Sequence, residues 1–152
     1  MINVNDIAPD INISTDIDNF SLNDQKGKKI VVFFFPRADT SGCTAEAIDF
    51  SNLKKKFDDC NCILIGISKD NPQKQKKFRE KYNLTCLLGS DSETNVCERY
   101  GVWIEKSMYG KKYMGIQRST FLIDEEGLIS FIWPKVKVPG HAEEVLKKVE
   151  EM

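Results

Sequence analysis

The chain has one histidine, five prolines, no apolar run longer than the six residues Ile30–Phe35, and almost no net charge, with 22 Lys plus Arg against 23 Asp plus Glu. Each shortage excludes something. A membrane-spanning helix needs roughly 20 consecutive apolar residues, so none is written here. Balanced charge argues against a nucleic-acid partner, which calls for a basic excess or a concentrated basic face. The N-terminus lacks the basic leader and apolar stretch of a secretory signal, and we expect a cytoplasmic protein. Cysteines are present but unpatterned: Cys43, Cys60, Cys62, Cys86 and Cys97 are odd in number and irregular in spacing, which does not describe a secreted disulfide scaffold. Cys60-x-Cys62 has too short a gap for a zinc knuckle, and His141 stands alone, so no metal site is expected. No Cys-x-x-Cys dithiol exists either.

What is present describes an ordinary globular chain. Of 152 residues, 41% are hydrophobic, and nine Phe, four Tyr and two Trp exclude a disordered one. That length suits one domain, able to bury roughly two thirds of its unfolded surface. Lys28–Phe35 and Cys62–Ser68 read as strands buried on both faces. Between them Ala47, Phe50, Leu53 and Phe57 recur at helical spacing, predicting one helix from about Cys43 to Phe57. Asn71-Pro72 opens a lysine-rich helix through about Tyr82. Thr85–Leu88 follows as a short strand, and Asp91 or Ser92 caps a helix reaching Tyr100. Ser119–Ile123 and Leu128–Trp133 flank a glycine-ended turn and form a hairpin, and a last helix starts near Gly140. The stretch from Trp103 to Gln117 reads either as a flap or association surface or as plain core. Strands alternating with helices, then a hairpin and a helix, predict an α/β fold with a central mixed sheet flanked by helices, compatible with a thioredoxin-like layout.

Pro36 ends the first buried strand, and a short polar loop, Arg37 to Gly42, delivers the chain to Cys43 at a helix start. Free backbone N–H groups and the helix dipole favour a thiolate there. Thr40, three residues earlier, brings a hydroxyl to the same turn, and Gly42 lets a ligand approach the backbone. Position alone leaves two readings open, a nucleophile or a small buried residue.

Pro36-x-x-x-Thr40-x-x-Cys43 resembles the active-site signature of the peroxiredoxins, and Phe34 to Ala47 resembles their bacterioferritin comigratory protein, or peroxiredoxin Q, branch. The resemblance continues through Tyr100 to Trp103, Met108 to Lys111, Tyr113 to Ile116, Arg118 to Asp124 and Val136 to Ala142. It implies a thioredoxin fold and a thiol peroxidase that reduces hydrogen peroxide and alkyl hydroperoxides without metal, haem or other cofactor. In such an enzyme Cys43 attacks the peroxide and becomes a sulfenic acid. Thr40 hydrogen-bonds the peroxide, Pro36 shields the sulfenate, Arg118 holds the thiolate and polarises the O–O bond, and Glu46 orients the arginine. Arg37 ranks below Arg118, because the family usually has lysine there.

The resolving cysteine of such enzymes is missing from both familiar places: Ile48 stands five residues after Cys43, and Phe78 to Lys81 contains no thiol. Cys97, read as partly exposed, remains the intramolecular candidate. Otherwise a thioredoxin, glutaredoxin or small thiol recycles the sulfenate, and this one-cysteine reading is preferred. A peroxide sensor or redox relay is the alternative function. The branch implies a monomer.

Overall fold

The computed structural model describes residues 1–152, and its architecture is organised around β3 (Lys29–Phe34). This strand lies beside β4 (Cys62–Ser68), in parallel, and beside β8 (Ser119–Ile123), antiparallel. The β-branched and aromatic run that suggested a strand covered on both sides is therefore central. Beyond β4 come β5 (Leu87–Ser90), β1 (Asn12–Thr15) and β2 (Asn19–Ser21), and beyond β8 comes β9 (Ile129–Trp133). The seven-stranded mixed sheet thus has the order β2-β1-β5-β4-β3-β8-β9 and carries the expected thioredoxin-like layout.

Side chains alternate across a strand, so β3 feeds two separate cores. Val31, Phe33 and Phe35 pack with Phe50, Phe57, Phe78, Val145 and Leu146 under the helices α1 (Ser41–Asn52), α2 (Lys54–Asp59), α3 (Pro72–Tyr82) and α5 (His141–Glu150). Ile30, Val32 and Phe34 pack on the other face with Ile65, Phe121, the N-terminal Ile11 and Ile13, and Val96 and Tyr100 around the short helix α4 (Val96–Arg99). No helix is long and apolar enough to cross a membrane.

Three local expectations need correction. The helix expected over 43–57 begins earlier, at Ser41, and breaks at Leu53 into α1 and α2. Ser51 explains the break: its hydroxyl accepts the Thr85 N–H (3.0 Å) and its carbonyl accepts the Thr85 hydroxyl (3.2 Å), so its polar groups serve the β5 approach. The helix expected from Asp91 to Tyr100 is reduced to α4. Asp91 does cap it, but from a distance, its carboxylate accepting the N–H groups of Val96 (3.0 Å) and Cys97 (2.8 Å) over a looped segment. The strand read as Thr85–Leu88 is shifted to Leu87–Ser90.

The ambiguous stretch 103–117 forms a separate two-stranded hairpin, β6 (Trp103–Met108) and β7 (Lys111–Ile116), turning at Tyr109 and Gly110, both at positive φ. Met108, Tyr109, Tyr113 and Met114 are exposed on it, whereas Ile116 is buried in the core with Trp103 packed against it, so the tip of the hairpin fits the flap reading and its base the core reading.

Gly66 marks where β4 is most tightly packed. A β carbon there would stand 2.6 Å from the Phe33 ring. Gly66→Ala is expected to lower unfolding free energy by about 2 kcal/mol through overpacking, measured by urea denaturation; an unchanged midpoint would show that Phe33 can yield.

Candidate active site

The antiparallel register builds the site. Phe34, the last residue of β3, pairs with Ser119, the first of β8, so the residues just beyond these two face each other at the same end of the sheet. On one side the chain runs through Pro36 into the loop before α1. On the other stands Arg118. Its guanidinium bridges two groups of the first turns of α1: Nη2 donates to Cys43 Sγ at 3.2 Å and Nη1 to Glu46 Oε1 at 2.8 Å. Cys43 and Glu46 lie three residues apart, which places both on one helical face. Both are 1% exposed. Gly42 leaves room for this approach, since a β carbon there would lie 3.1 Å from Arg118 Nη2 and crowd it.

The electrostatics follow from enclosure. Burial pushes Glu46 up to about 7, against the opposing pull of Arg118, and its Oε2 has no hydrogen-bond partner. Burial works against the charge of Arg118 too, but Glu46 and Cys43 outweigh it and hold the guanidinium above its ordinary value. The hydrogen bond that this cation donates to the sulfur from 3.2 Å is a charge-assisted one.

Thr40 is the N-cap of α1, its carbonyl accepting the Thr44 N–H at 2.9 Å. Its hydroxyl makes no hydrogen bond to Cys43; it donates to the Arg37 carbonyl at 2.8 Å, which leaves its lone pairs free to accept. Pro36 is half-buried where the β3 ladder ends. The loop is tied down beyond it. The Ala38 N–H donates to Asp70 at 2.7 Å, and Asp39, at positive φ, accepts from Tyr82 (2.6 Å) and Lys81 (3.0 Å). The sequence reading missed these ties, because nothing in the order of residues says that α3 returns beside the loop.

The other thiols lie elsewhere. Cys97 is wholly buried, not partly exposed as expected, and belongs to the core on the opposite face of the sheet from Cys43. Asp91 seals it there by gripping its backbone N–H. Cys62 is paired with Lys29 at the start of β3, and Cys60 accepts the Lys29 ammonium on its carbonyl (3.2 Å), so both sit roughly 17 Å, a strand length, from the Cys43 end. Cys86 is enclosed. Burial pushes the thiols of Cys62 and Cys86 up to about 12 and about 11.

Lys106 was also missed. It lies on β6 opposite Tyr113, half-buried, and its stem crosses Gly115. Burial and the charge of Arg118 pull its ammonium below the ordinary lysine value, while Cys43 opposes them.

A cysteine seated at a helix start on a thioredoxin-like sheet, with a guanidinium on its sulfur, defines a thiol-based oxidoreductase. Residues 4–132 match the AhpC/TSA family. The chain is 47% identical over 149 residues to a putative peroxiredoxin bcp of Coxiella burnetii, covering 97% of this chain and 99% of that one. It is 43% identical to the peroxiredoxin Bcp of Bacillus subtilis over 99% and 97% of the two chains. The structure of the Xanthomonas campestris bacterioferritin comigratory protein superposes with a TM-score of 0.90 at 34% identity, covering 99% of this chain and 97% of that one. That of Xylella fastidiosa PrxQ gives 0.93 at 33%, over 99% and 97%. The chain belongs to the AhpC/TSA family, among its peroxiredoxins, and is a thiol peroxidase.

Two buried groups give stability opposite pH slopes. His141 opens α5, with Nε2 2.8 Å from the Thr120 hydroxyl and Phe50 and Trp133 edge-on to its ring, and burial lowers it from 6.5 to about 4. Its depressed value stabilises the fold fully above about 6.5, and that contribution is lost as pH falls toward 4. Glu46 is raised, so its contribution is lost as pH rises from 4.5 through about 7. Glu46→Gln should therefore gain on the natural protein by about 2 kcal/mol between pH 5 and 8. Chemical denaturation at both pH values checks this, and a pH-independent difference would contradict the assignment.

Proposed function

We propose that this peroxidase reduces hydrogen peroxide and organic hydroperoxides at Cys43 and is recycled by an external thiol, a thioredoxin, glutaredoxin or small thiol, in the cytoplasm and as a monomer. The observation that carries the reading is the Arg118 bridge, which places one guanidinium on both the nucleophile and a buried carboxyl group. Arg118 aligns the sulfur and draws electron density from the O–O bond, a task suited to a fixed, permanently charged fork. Thr40 accepts the hydrogen bond of the peroxide O–H, since its own proton is committed to Arg37. The sulfur attacks the terminal oxygen, the S–O bond forms as O–O breaks, and Cys43 is left as sulfenic acid. Pro36, offering no N–H, shields it. Glu46 fixes the guanidinium from behind.

Recycling from outside is favoured because the sheet separates Cys97 from Cys43, and Cys60 and Cys62 sit at the far end of β3. A sulfur 1% exposed cannot meet a bulky thiol as it stands. The first turn of α1 must loosen, against the ties of Ala38 and Asp39. The named relatives favour the enzyme over a sensor or relay.

One equivalent of hydrogen peroxide, followed by alkylation and peptide mass spectrometry without reductant, is expected to oxidise Cys43 selectively and to yield no internal disulfide. Cys43→Ser should abolish turnover, Arg118→Ala should slow Cys43 oxidation by about 10²–10³-fold, and Cys97→Ser should turn over unchanged with a thioredoxin system. A Cys43–Cys97 disulfide would overturn recycling from outside, and oxidation that stalls with every thiol would favour the relay.

A further inference from the structure

The helix α3 carries five cations, Lys74, Lys76, Lys77, Arg79 and Lys81, against one carboxylate, Glu80, although the chain as a whole has 22 basic residues against 23 acidic ones. Positive charge is concentrated there. Arg79 is committed to Asp16 and to the Leu84 carbonyl (2.8 Å). Lys74, Lys77 and Lys81 are spaced to share one helical face. That face is turned to the active-site loop, because the three lysines and Phe78 line a cleft of about 330 Å³ whose other wall is Ala38 and Asp39. Lys81 holds Asp39 at 3.0 Å. Lys74 and Lys77 are exposed and pair with no carboxylate, and the same holds for Arg37 in the loop itself. Unpaired cations gathered at one cleft make a field that a partner can sense.

The cleft is also close enough to the sulfur to matter. Ala38 stands five residues before Cys43, so even a fully extended chain keeps their α carbons within about 18 Å. A standard protein interface, about 800 Å² on each side and roughly 30 Å across, covers both. Lys74 to Lys81 spans about 10 Å of helix, the scale of a protein surface and not of a small thiol. So few ammonium groups do not suit a nucleic-acid backbone, where binding draws on about six to ten phosphate contacts.

We propose that the Lys74, Lys77 and Lys81 face of α3 is the docking surface of the recycling thiol, a dithiol protein with carboxylates beside its reactive cysteine. The proposal rests on the reading that the reductant comes from outside. Complementary charge speeds the encounter and orients the partner, and a protein seated against Ala38 and Asp39 meets Cys43 as the loop opens. The partner's thiolate then bonds to the Cys43 sulfur, and the sulfenic oxygen takes a proton and leaves as water. The partner's second thiol attacks its first sulfur, which releases Cys43 as thiolate and leaves the partner oxidised to a disulfide.

For the test, Cys43 is oxidised with one equivalent of hydrogen peroxide, and its return to thiol is followed by rapid mixing with an acidic thioredoxin, a basic thioredoxin or neutral dithiothreitol. The natural protein is compared with Lys74→Glu plus Lys77→Glu and with the corresponding glutamine pair; Lys81 is kept because it holds Asp39. With the glutamate pair the acidic thioredoxin is expected to lose about tenfold in rate at about 20 mM salt, a loss that closes toward about 0.5 M, while the basic one gains and dithiothreitol changes by less than about twofold. The glutamine pair should fall between, and it carries the comparison should the glutamates disturb the helix. An equal loss with dithiothreitol, an unchanged rate with the acidic protein, or a loss that salt does not relieve would overturn the docking surface. Recycling by dithiothreitol and by neither protein would overturn it too, while leaving an external thiol as reductant. An internal disulfide formed before any reductant is added would instead overturn recycling from outside.

Discussion

The contact between Arg118 and the first turns of α1 is the constraint on which the rest of the structure depends. Bringing a guanidinium and a carboxyl group out of water costs several kcal/mol per ion, and a buried pair recovers that only with good geometry and further hydrogen bonds. Here the second partner of the guanidinium is a sulfur, and the second oxygen of Glu46 has none. The arrangement is thus poorer than a purely structural ion pair. It is a directed one: Glu46 takes one arm of the fork so that the other is fixed on Cys43. The register of β8 against β3 positions it, and a slip of one residue would turn Arg118 away along with every side chain of β8.

The same sheet that delivers Arg118 divides the thiols. Alternation along β3 creates two cores, and Cys43 and Cys97 fall on opposite sides. Their separation is therefore a consequence of the fold's central strand. Cys43 is also buried, and in the proposed cycle its sulfenic acid is protected from further oxidation by that burial yet has to be reached by a reductant. The loop ties around Ala38 and Asp39 reconcile these needs. They are few, partly exposed and polar, so the loop before α1 is held by contacts that water can replace, and of the first turn only Cys43 has to leave the core.

Much of this was legible in the order of residues, for physical reasons that differ from element to element. The apolar runs 30–35 and 62–68 could only be buried strands, and Pro36 followed by a polar loop fixed where β3 stops. The helix start at Cys43 followed from that loop. What escaped was whatever depends on partners distant in sequence. Ser51 breaks the long helix because Thr85 claims its polar groups, and Asp91 caps α4 from five residues away. The exposure of Cys97 was misjudged because the charged residues that follow it, Glu98 and Arg99, say nothing about which way its own side chain points. Arg118 and Glu46 entered through family resemblance alone. No local pattern joins residues 72 positions apart.

Lys106 shows the same limit from the other side. On sequence it is one lysine among many on an amphipathic-looking hairpin, and solvated lysines are the rule. Its distinction comes from Gly115, which carries no information about a lysine nine residues earlier until the antiparallel pairing of β6 and β7 is known. The tip of the hairpin is exposed, while at its base the Lys106 stem lies on Gly115 and Ile116 is buried in the core.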